Sequence, residues 1–153
     1  MFGFDTFDGF KSLSDKDRAV GSSKHSFDGG QKANIYEYLN ELIKIQDQNR
    51  PLGHIEKIQL IKGNILDTAE EFLTENQHMI CSMLYLDFDI YRPTLHALKM
   101  FYDLVPKGGI IVFDQLNLCE WPGETLAVKE FFDLNEISIQ RFQWDSVLSY
   151  AVK

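Results

Sequence analysis

Two apolar runs that each end in aspartate constrain the fold of this chain most. Residues 79–86 are apolar almost throughout and are followed by Asp87-Phe88-Asp89, and the run Ile110–Phe113 is followed by Asp114. Continuous apolar runs of this length are typical of strands that are covered on both faces in a parallel sheet. Between them, apolar residues recur at helical spacing over residues 93–105, and one helix is enough for a parallel crossover. We therefore expect the acids to lie at the same edge of one sheet.

The rest of the chain shows the same alternation of helical and strand periodicity. Further helices are predicted over residues 34–49, from residue 67 onwards, and over residues 122–134. Asp67 and Glu70 form a capping pair at the start of the second of these helices. Asn34 and Glu37 form a second capping pair. Further strands are predicted over residues 1–4, 57–61, 137–142 and 147–152, the last two as an antiparallel pair. The pattern indicates an α/β fold with a mainly parallel sheet.

Length and composition indicate one globular domain. The chain has 153 residues, of which 44% are hydrophobic and 25% charged, which excludes a disordered or low-complexity protein. We expect a single domain over residues 1–153. Its long polar segment, residues 5–32, is predicted to be either a mobile loop or a lid over the site.

The net charge of -8 argues against a nucleic-acid partner, because an acidic surface repels phosphates. The longest apolar stretch is too short to span a bilayer, so no membrane partner is expected. The two cysteines, Cys81 and Cys119, form no CxxC motif, which fits a reducing compartment. The sequence therefore predicts a cytoplasmic protein.

The aspartates after the two central strands form a candidate metal site. Carboxylates from Asp87, Asp89 and Asp114 repel one another when close, and a hard cation such as Mg²⁺ relieves that repulsion through oxygen ligands. Gln115 would add a neutral oxygen. The alternative is that these acids cap the following helices or bind loop amides. A D-x-D motif by itself also suits a glycosyltransferase that holds a nucleotide sugar through a metal.

Four spaced motifs resemble those of the macrocin O-methyltransferase (TylF-like) family. They are GFDTFDGF at 3–10, LYLDFDIY at 84–91, GGIIVFDQLN at 108–117 and WPGET at 121–125, and the similarity runs from Gly3 to the end of the chain. The resemblance implies a Mg²⁺-dependent transfer of a methyl group from S-adenosylmethionine to a hydroxyl of a sugar or a glycosylated small molecule. It also implies a Rossmann-like class I methyltransferase sheet with helices on both faces.

The resemblance also implies roles for individual residues. Asp87 and Asp114 would be metal ligands, with Gln115 beside them, and Asp89 would be the general base that takes the hydroxyl proton. Asp5 would bind the cofactor ribose, and Asn64 would lie near the adenine. Gln115 and Asn64 both stand where the family usually has an acid. A neutral Gln115 lowers the negative charge that faces the ion, so we expect weaker metal binding.

The resemblance begins at the second strand of the family, and the first strand with its Gly-rich loop has no counterpart after Met1. We therefore expect a truncated chain. Unpaired strand edges of such a sheet predict either an inert fragment or association with a second copy, giving a homo-oligomer.

Overall fold

The computed structural model describes residues 1–18 and 35–153, which form an α/β protein. The strands are β1 (Phe2–Asp5), β2 (Gln59–Lys62), β3 (Met83–Leu86), β4 (Ile110–Phe113), β5 (Ile139–Arg141) and β6 (Ser149–Val152). The helices are α1 (Tyr36–Gln48), α2 (Ile65–Glu75), α3 (Tyr91–Phe101) and α4 (Gly123–Phe131). Short 3-10 turns cover Asp15–Asp17 and Tyr102–Leu104. No helix in this described part is long and apolar enough to cross a bilayer.

The chain divides into two compact units. The first contains Met1–Ser12 and the described residues of Ser26–Thr68, and the second contains the described residues of Leu13–His25 together with Ala69–Lys153. The boundary falls within α2, and each unit is described by itself below. The prediction of one domain over residues 1–153 stays a prediction.

In the first unit, β1 and β2 form a parallel pair whose ends are in register, with Asp5 opposite Lys62. The Gly63 N–H donates a hydrogen bond of 2.9 Å to the Asp5 carbonyl oxygen and so continues the pairing past the strand end. Helix α1 begins at Tyr36 without a side-chain cap, and the predicted capping residue Asn34 lies outside the described residues.

Helix α2 begins earlier than the sequence pattern predicts, so the expected cap at Asp67 is wrong. The Asn64 side-chain oxygen accepts the Leu66 N–H at 3.2 Å and thereby caps the helix. Gly63, with φ +145°, ends the strand immediately before it. Asn is among the best N-cap residues, so the helix begins right after Asn64 and leaves Asp67 within the first turn.

In the second unit, four strands pair in the order β3-β4-β6-β5. Strands β3 and β4 are parallel, whereas β6 is antiparallel to both β4 and β5. The predicted antiparallel pair at the end of the chain is confirmed. Among the described strands, parallel and antiparallel pairings are equal in number, so the expectation of a mainly parallel sheet is wrong. Strand β6 lies between β4 and β5 and is antiparallel to both, which adds an antiparallel pairing that the sequence pattern does not predict.

The two aspartate-terminated strands differ in burial. Ile111, Val112 and Phe113 of β4 are buried as predicted, but Met83 and Tyr85 of β3 are exposed. The expectation that β3 is covered on both faces is therefore wrong within the described residues. Met83 and Tyr85 are two residues apart and so lie on the same face of β3, and the described residues leave that face largely open to solvent.

Helices α3 and α4 pack together through Tyr91, Leu95 and Ala127. The turn Asp15–Asp17 secures the start of α3, because the buried Asp17 Oδ1 accepts the Tyr91 N–H at 2.6 Å. Gly123 lets α4 start against the same carboxylate, since a Cβ there would lie 2.2 Å from Asp17 Oδ1. This part of the predicted 5–32 loop is thus ordered around a carboxylate, while its residues 19–32 lie outside the described residues.

Candidate active site

The second unit brings the predicted acids to one place, the carboxyl ends of β3 and β4. Leu86 and Phe113 are opposite one another in these parallel strands, and the Asp114 N–H donates to the Leu86 carbonyl oxygen at 3.1 Å. The aspartates that follow the strands therefore start from neighbouring backbone positions. Asp87 is exposed, whereas Asp89 and Asp114 are half-buried.

Asp89 is held in a tight turn with a backbone conformation that L-residues rarely adopt. Its φ is +60°, and the Ile90 N–H donates to the Phe88 carbonyl oxygen at 2.6 Å across it. Its Oδ1 is buried without a hydrogen-bond partner among the described residues. Burial, followed by the charges of Asp87 and Asp114, raises the pKa of Asp89 to about 6. Such a carboxyl group is ionised at neutral pH and is a stronger base than an ordinary aspartate.

Tyr85 belongs to the same cluster, although the sequence reasoning did not select it. Its hydroxyl donates a hydrogen bond of 2.6 Å to Asp114 Oδ1. This bond, together with burial and the charges of Asp114 and Asp87, raises the pKa of Tyr85, so the phenol stays a proton donor. Strand alternation was the available signal, because Tyr85 and Asp87 are two residues apart and face the same side.

Glu124 adds a carboxyl group that the sequence reasoning also missed. It lies in the first turn of α4 and is fully buried. Its Oε1 accepts the Gln115 N–H at 3.1 Å, while its Oε2 has no partner in the described part of the chain. Burial is the main cause that raises the pKa of Glu124 to about 8, and Asp114, Asp89 and Asp87 raise it further. The sequence signal, an acid in a helical first turn, indicates only a partner for the helix dipole.

The donor set at these strand ends suits a hard cation. The buried oxygens Asp89 Oδ1, Gln115 Oε1 and Glu124 Oε2 have no hydrogen-bond partner among the described residues. No group of three or more His, Cys, Asp or Glu side chains in residues 1–18 and 35–153 is arranged so that it could hold a metal ion. Magnesium does not require one, because it is usually bound through one or two carboxylates and completes its shell with water and substrate oxygens. The chemistry of these oxygen donors is therefore compatible with Mg²⁺ held through two carboxylates.

In the first unit, the predicted cofactor residues lie at the carboxyl ends of β1 and β2. Asp5 is exposed, and its Oδ1 accepts the Phe7 N–H at 2.5 Å. A carboxylate accepts about four hydrogen bonds, so the group retains acceptors for the hydroxyls of a ribose. Asn64 uses its side-chain oxygen to cap α2, which leaves its amide N–H₂ as the group suited to an adenine acceptor.

Strands β3 and β4 are parallel, and aspartates follow both of them, including the candidate general base Asp89. Enzymes with an open α/β sheet have their sites in this place, beyond the carboxyl ends of the strands. The sequence profile of the macrocin-O-methyltransferase (TylF) family matches residues 3–151. The chain belongs to this family.

Three solved structures of methyltransferases, two of them of the same enzyme, are similar to this chain. The crystal structure of CalS11, a calicheamicin methyltransferase, has a TM-score of 0.89 and 28% identity, covering 99% of this chain and 59% of that one. The apo structure of CalS11, described as a TDP-rhamnose 3'-O-methyltransferase, has a TM-score of 0.77, 24% identity and coverage of 99% and 56%. The O-methyltransferase NovP has a TM-score of 0.60 and 22% identity, with coverage of 99% and 59%. The likeness confirms the Rossmann-like α/β fold.

No curated protein matches the chain significantly. The chain spans between 56% and 59% of the length of the CalS11 and NovP chains.

Proposed function

We propose that this chain acts as a Mg²⁺-dependent O-methyltransferase that transfers the methyl group of S-adenosylmethionine to a hydroxyl of a sugar or a glycosylated small molecule. Family membership and the similarity to CalS11 support this class of reaction. The observation that carries the proposal is that Asp89 follows β3 with a half-buried carboxyl group, whose pKa is raised by burial and by the charges of Asp87 and Asp114.

Asp89 acts as the general base in this proposal. The acceptor hydroxyl loses its proton to the Asp89 carboxylate while its oxygen forms a bond to the methyl carbon. S-adenosylmethionine would supply the methyl group, and the pair of electrons of the broken carbon–sulfur bond would pass to sulfur. A pKa of about 6 suits this role, because the carboxylate is ionised at neutral pH yet binds a proton more strongly than an ordinary aspartate.

Asp87 and Asp114 would hold the metal, with the Gln115 side-chain oxygen as a neutral ligand. Bound Mg²⁺ would supply polarisation of the acceptor hydroxyl, which makes its proton easier to remove. Tyr85 contributes by donating to Asp114 Oδ1, which orients that carboxylate.

Asp5 and Asn64 would bind the cofactor. The Asp5 carboxylate would accept hydrogen bonds from the ribose hydroxyls, and the Asn64 amide would donate to the adenine. Their common position at the carboxyl ends of β1 and β2 supports the assignment, because ligands of open α/β sheets bind beyond those ends.

A cytoplasmic location is part of the proposal. Cys81 and Cys119 are both free thiols, as expected in a reducing compartment.

The experiment that tests the function measures the binding of S-adenosylhomocysteine by calorimetry, followed by methyl transfer to TDP-rhamnose, the sugar nucleotide named for CalS11. We expect binding of the cofactor product and methyl transfer that stops when EDTA removes Mg²⁺. Absence of S-adenosylhomocysteine binding would overturn the proposal. Mn²⁺-dependent binding of a nucleotide sugar without affinity for S-adenosylhomocysteine would indicate a glycosyltransferase instead.

A further inference from the structure

The turn that carries Asp89 is strained. The φ of Asp89 is +60°, and the Ile90 N–H closes the turn by donating to the Phe88 carbonyl oxygen at 2.6 Å. Three-residue turns with a positive φ at the central residue are rare and strained. A residue in such a conformation persists only where the surrounding structure holds the backbone in place. The contacts of the residues that follow Asp89 therefore decide whether the turn is kept.

Asp17 binds the backbone immediately after this turn. Its Oδ1 accepts the N–H of Tyr91, the second residue after Asp89, at 2.6 Å. The Asp17 carboxylate is itself fixed, because the residue is only 1% exposed and its Oδ2 accepts both the N–H of Ser14 at 2.6 Å and the hydroxyl of Ser14 at 2.7 Å. It also lies at the start of α3, where the helix dipole favours a negative charge. Asp17 is therefore a rigid acceptor for the backbone that follows Asp89.

Gly123, the first residue of α4, packs on the same stretch of backbone. A Cβ on Gly123 would lie 2.6 Å from the Tyr91 nitrogen and 3.0 Å from the Ile90 Cα, so this close approach requires glycine. Ile90 is 3% exposed, and its carbonyl oxygen accepts the Thr94 hydroxyl at 2.8 Å. Close packing and burial thus restrict residues 90–91, and the Asp17 carboxylate supplies the acceptor for the Tyr91 N–H.

We propose that Asp17 is a positioning residue for the reaction: by accepting the Tyr91 N–H it keeps the strained turn closed and so places the carboxyl group of Asp89. The inference rests on the proposed function for the role of Asp89 as the base. Asp17 acts only through the backbone of residues 89–91 and exchanges no proton with the acceptor. Without this carboxylate, the turn relaxes toward an ordinary conformation, and the Asp89 carboxyl group moves away from the acceptor hydroxyl.

Steady-state kinetics of the whole chain with TDP-rhamnose test the role in the reaction. Asp17→Ala should lower kcat about 10–100-fold, because a displacement of about 1 Å at a reacting group costs up to that factor. KM should stay unchanged, since the base acts in the transition state. Asp17→Asn keeps an oxygen for the Tyr91 N–H and should retain the wild-type kcat. Ser14→Ala is the matched control, because it removes a hydrogen bond from the other oxygen of the same carboxylate, and it should also retain kcat.

Amide hydrogen exchange separates this positioning role from a general loss of stability, and it requires no activity. Asp17 does not bind the Ile90 N–H, so a general loss of stability in Asp17→Ala would speed exchange at Ile90 and in β4 by the same factor. Positioning predicts a larger factor at Ile90 than in β4. In Asp17→Asn and Ser14→Ala, which lose bonds of the carboxylate but keep an acceptor for Tyr91, exchange at Ile90 should change no more than in β4.

A measurement on the wild type covers the case in which Asp17→Ala does not fold. One carboxylate accepts the N–H groups of both Ser14 and Tyr91. If Asp17 also keeps the turn closed, the amides of Ser14, Ile90 and Tyr91 should become exchangeable in one opening event, with equal free energies of opening. Exchange at Ile90 well ahead of the other two amides would show that the turn opens independently of Asp17, which overturns the inference.

The outcomes distinguish this inference from the proposed function. An unchanged kcat in Asp17→Ala, or equal losses of protection at Ile90 and in β4, overturns the inference while methyl transfer by the wild type stands. A kcat that falls as far in Ser14→Ala as in Asp17→Ala also overturns it. If the wild type transfers no methyl group and binds no S-adenosylhomocysteine, the proposed function fails, and the exchange at Ile90 still decides whether Asp17 holds the turn.

Discussion

The carboxyl ends of the two parallel strand pairs differ in how their polar side chains are satisfied. At β1 and β2, Asp5 accepts the Phe7 N–H and Asn64 accepts the Leu66 N–H. At β3 and β4, the side chains of Asp89, Gln115 and Glu124 each keep a buried oxygen that has no partner among the described residues. At one pair of strand ends, polar side chains thus accept hydrogen bonds from nearby backbone N–H groups. At the other pair, carboxylate and amide oxygens are buried without hydrogen bonds from the described residues.

The difference shows what distinguishes a structural acid from a functional candidate in this chain. A carboxylate or amide two residues before a backbone N–H forms a local turn or cap, which stabilises the backbone whether or not a ligand binds. Asp17 is a structural acid of a second kind, since it is buried but accepts hydrogen bonds from both Ser14 and Tyr91. Burial alone therefore does not mark the site, whereas buried carboxylate or amide oxygens without a partner occur, among the described residues, only in Asp89, Gln115 and Glu124.

The largest expected effect comes from Asp89. Asp89→Asn removes the proposed base and should lower the rate of methyl transfer about 10²–10⁴-fold, while leaving the affinity for S-adenosylhomocysteine unchanged. Single-turnover kinetics and calorimetry measure the two quantities. Asp103→Asn, a change at an exposed aspartate, is the control and should keep the wild-type rate. A rate within threefold of the wild type in Asp89→Asn would exclude Asp89 as the base.

Asp17 offers the contrasting case of a buried acid with its bonds complete. Asp17→Ala should lower the free energy of unfolding by about 3 kcal/mol, because the N–H groups of Ser14 and Tyr91 lose their acceptor. Urea denaturation measures the effect. Asp15→Ala in the same turn should change stability by less than about 0.5 kcal/mol, since the Asp15 side chain is 97% exposed. Equal losses in the two variants would contradict the structural role of Asp17.

The unsatisfied acids should also govern the dependence of stability on pH. The folded pKa values of Asp89, about 6, and Glu124, about 8, lie above the pKa values of the same groups in the unfolded chain. At a pH between the unfolded and the folded pKa of either group, the folded state therefore binds more protons than the unfolded state. The free energy of unfolding should therefore fall as pH rises from about 5 to 8 in the presence of EDTA. Urea midpoints at each pH unit measure the slope.

Glu124→Gln separates the two contributions to that slope. The decrease between pH 6 and 8 should largely disappear in this variant, while between pH 5 and 6, where both groups contribute, only the part caused by Asp89 should remain. Midpoints that rise with pH in the wild type would show that these carboxyl groups are not buried in solution.

The smallest expected effect on stability is at Asn64, which follows β2 and accepts a hydrogen bond from the Leu66 N–H. Asn64→Ala removes the cap of α2 and should lower the free energy of unfolding by about 1 kcal/mol. Asn64→Asp retains an acceptor for the Leu66 N–H and should stay close to the wild type in the same urea titration. A loss in Asn64→Asp as large as that in Asn64→Ala would mean that the amide N–H₂, rather than the cap, stabilises this region.

Much of the fold could be predicted because it depends on local patterns. Strands β3 and β4, the crossover between them and the final antiparallel pair follow from apolar periodicity and turn residues. The errors arise where neighbours decide the outcome. Met83 and Tyr85 are exposed because the described residues leave their face of β3 largely open, which the apolar run does not reveal.

By itself, the sequence determined the order of elements, the aspartates after the strands and the motifs of the family, because all of these depend on residues close together in the chain. Only the tertiary structure decided the partners of those acids. The bond from Tyr85 to Asp114 joins residues 29 positions apart, and that from Tyr91 to Asp17 joins residues 74 positions apart. The burial of Glu124 likewise depends on what packs around α4. Desolvation and long-range hydrogen bonds depend on distance in space, which spacing along the chain does not specify.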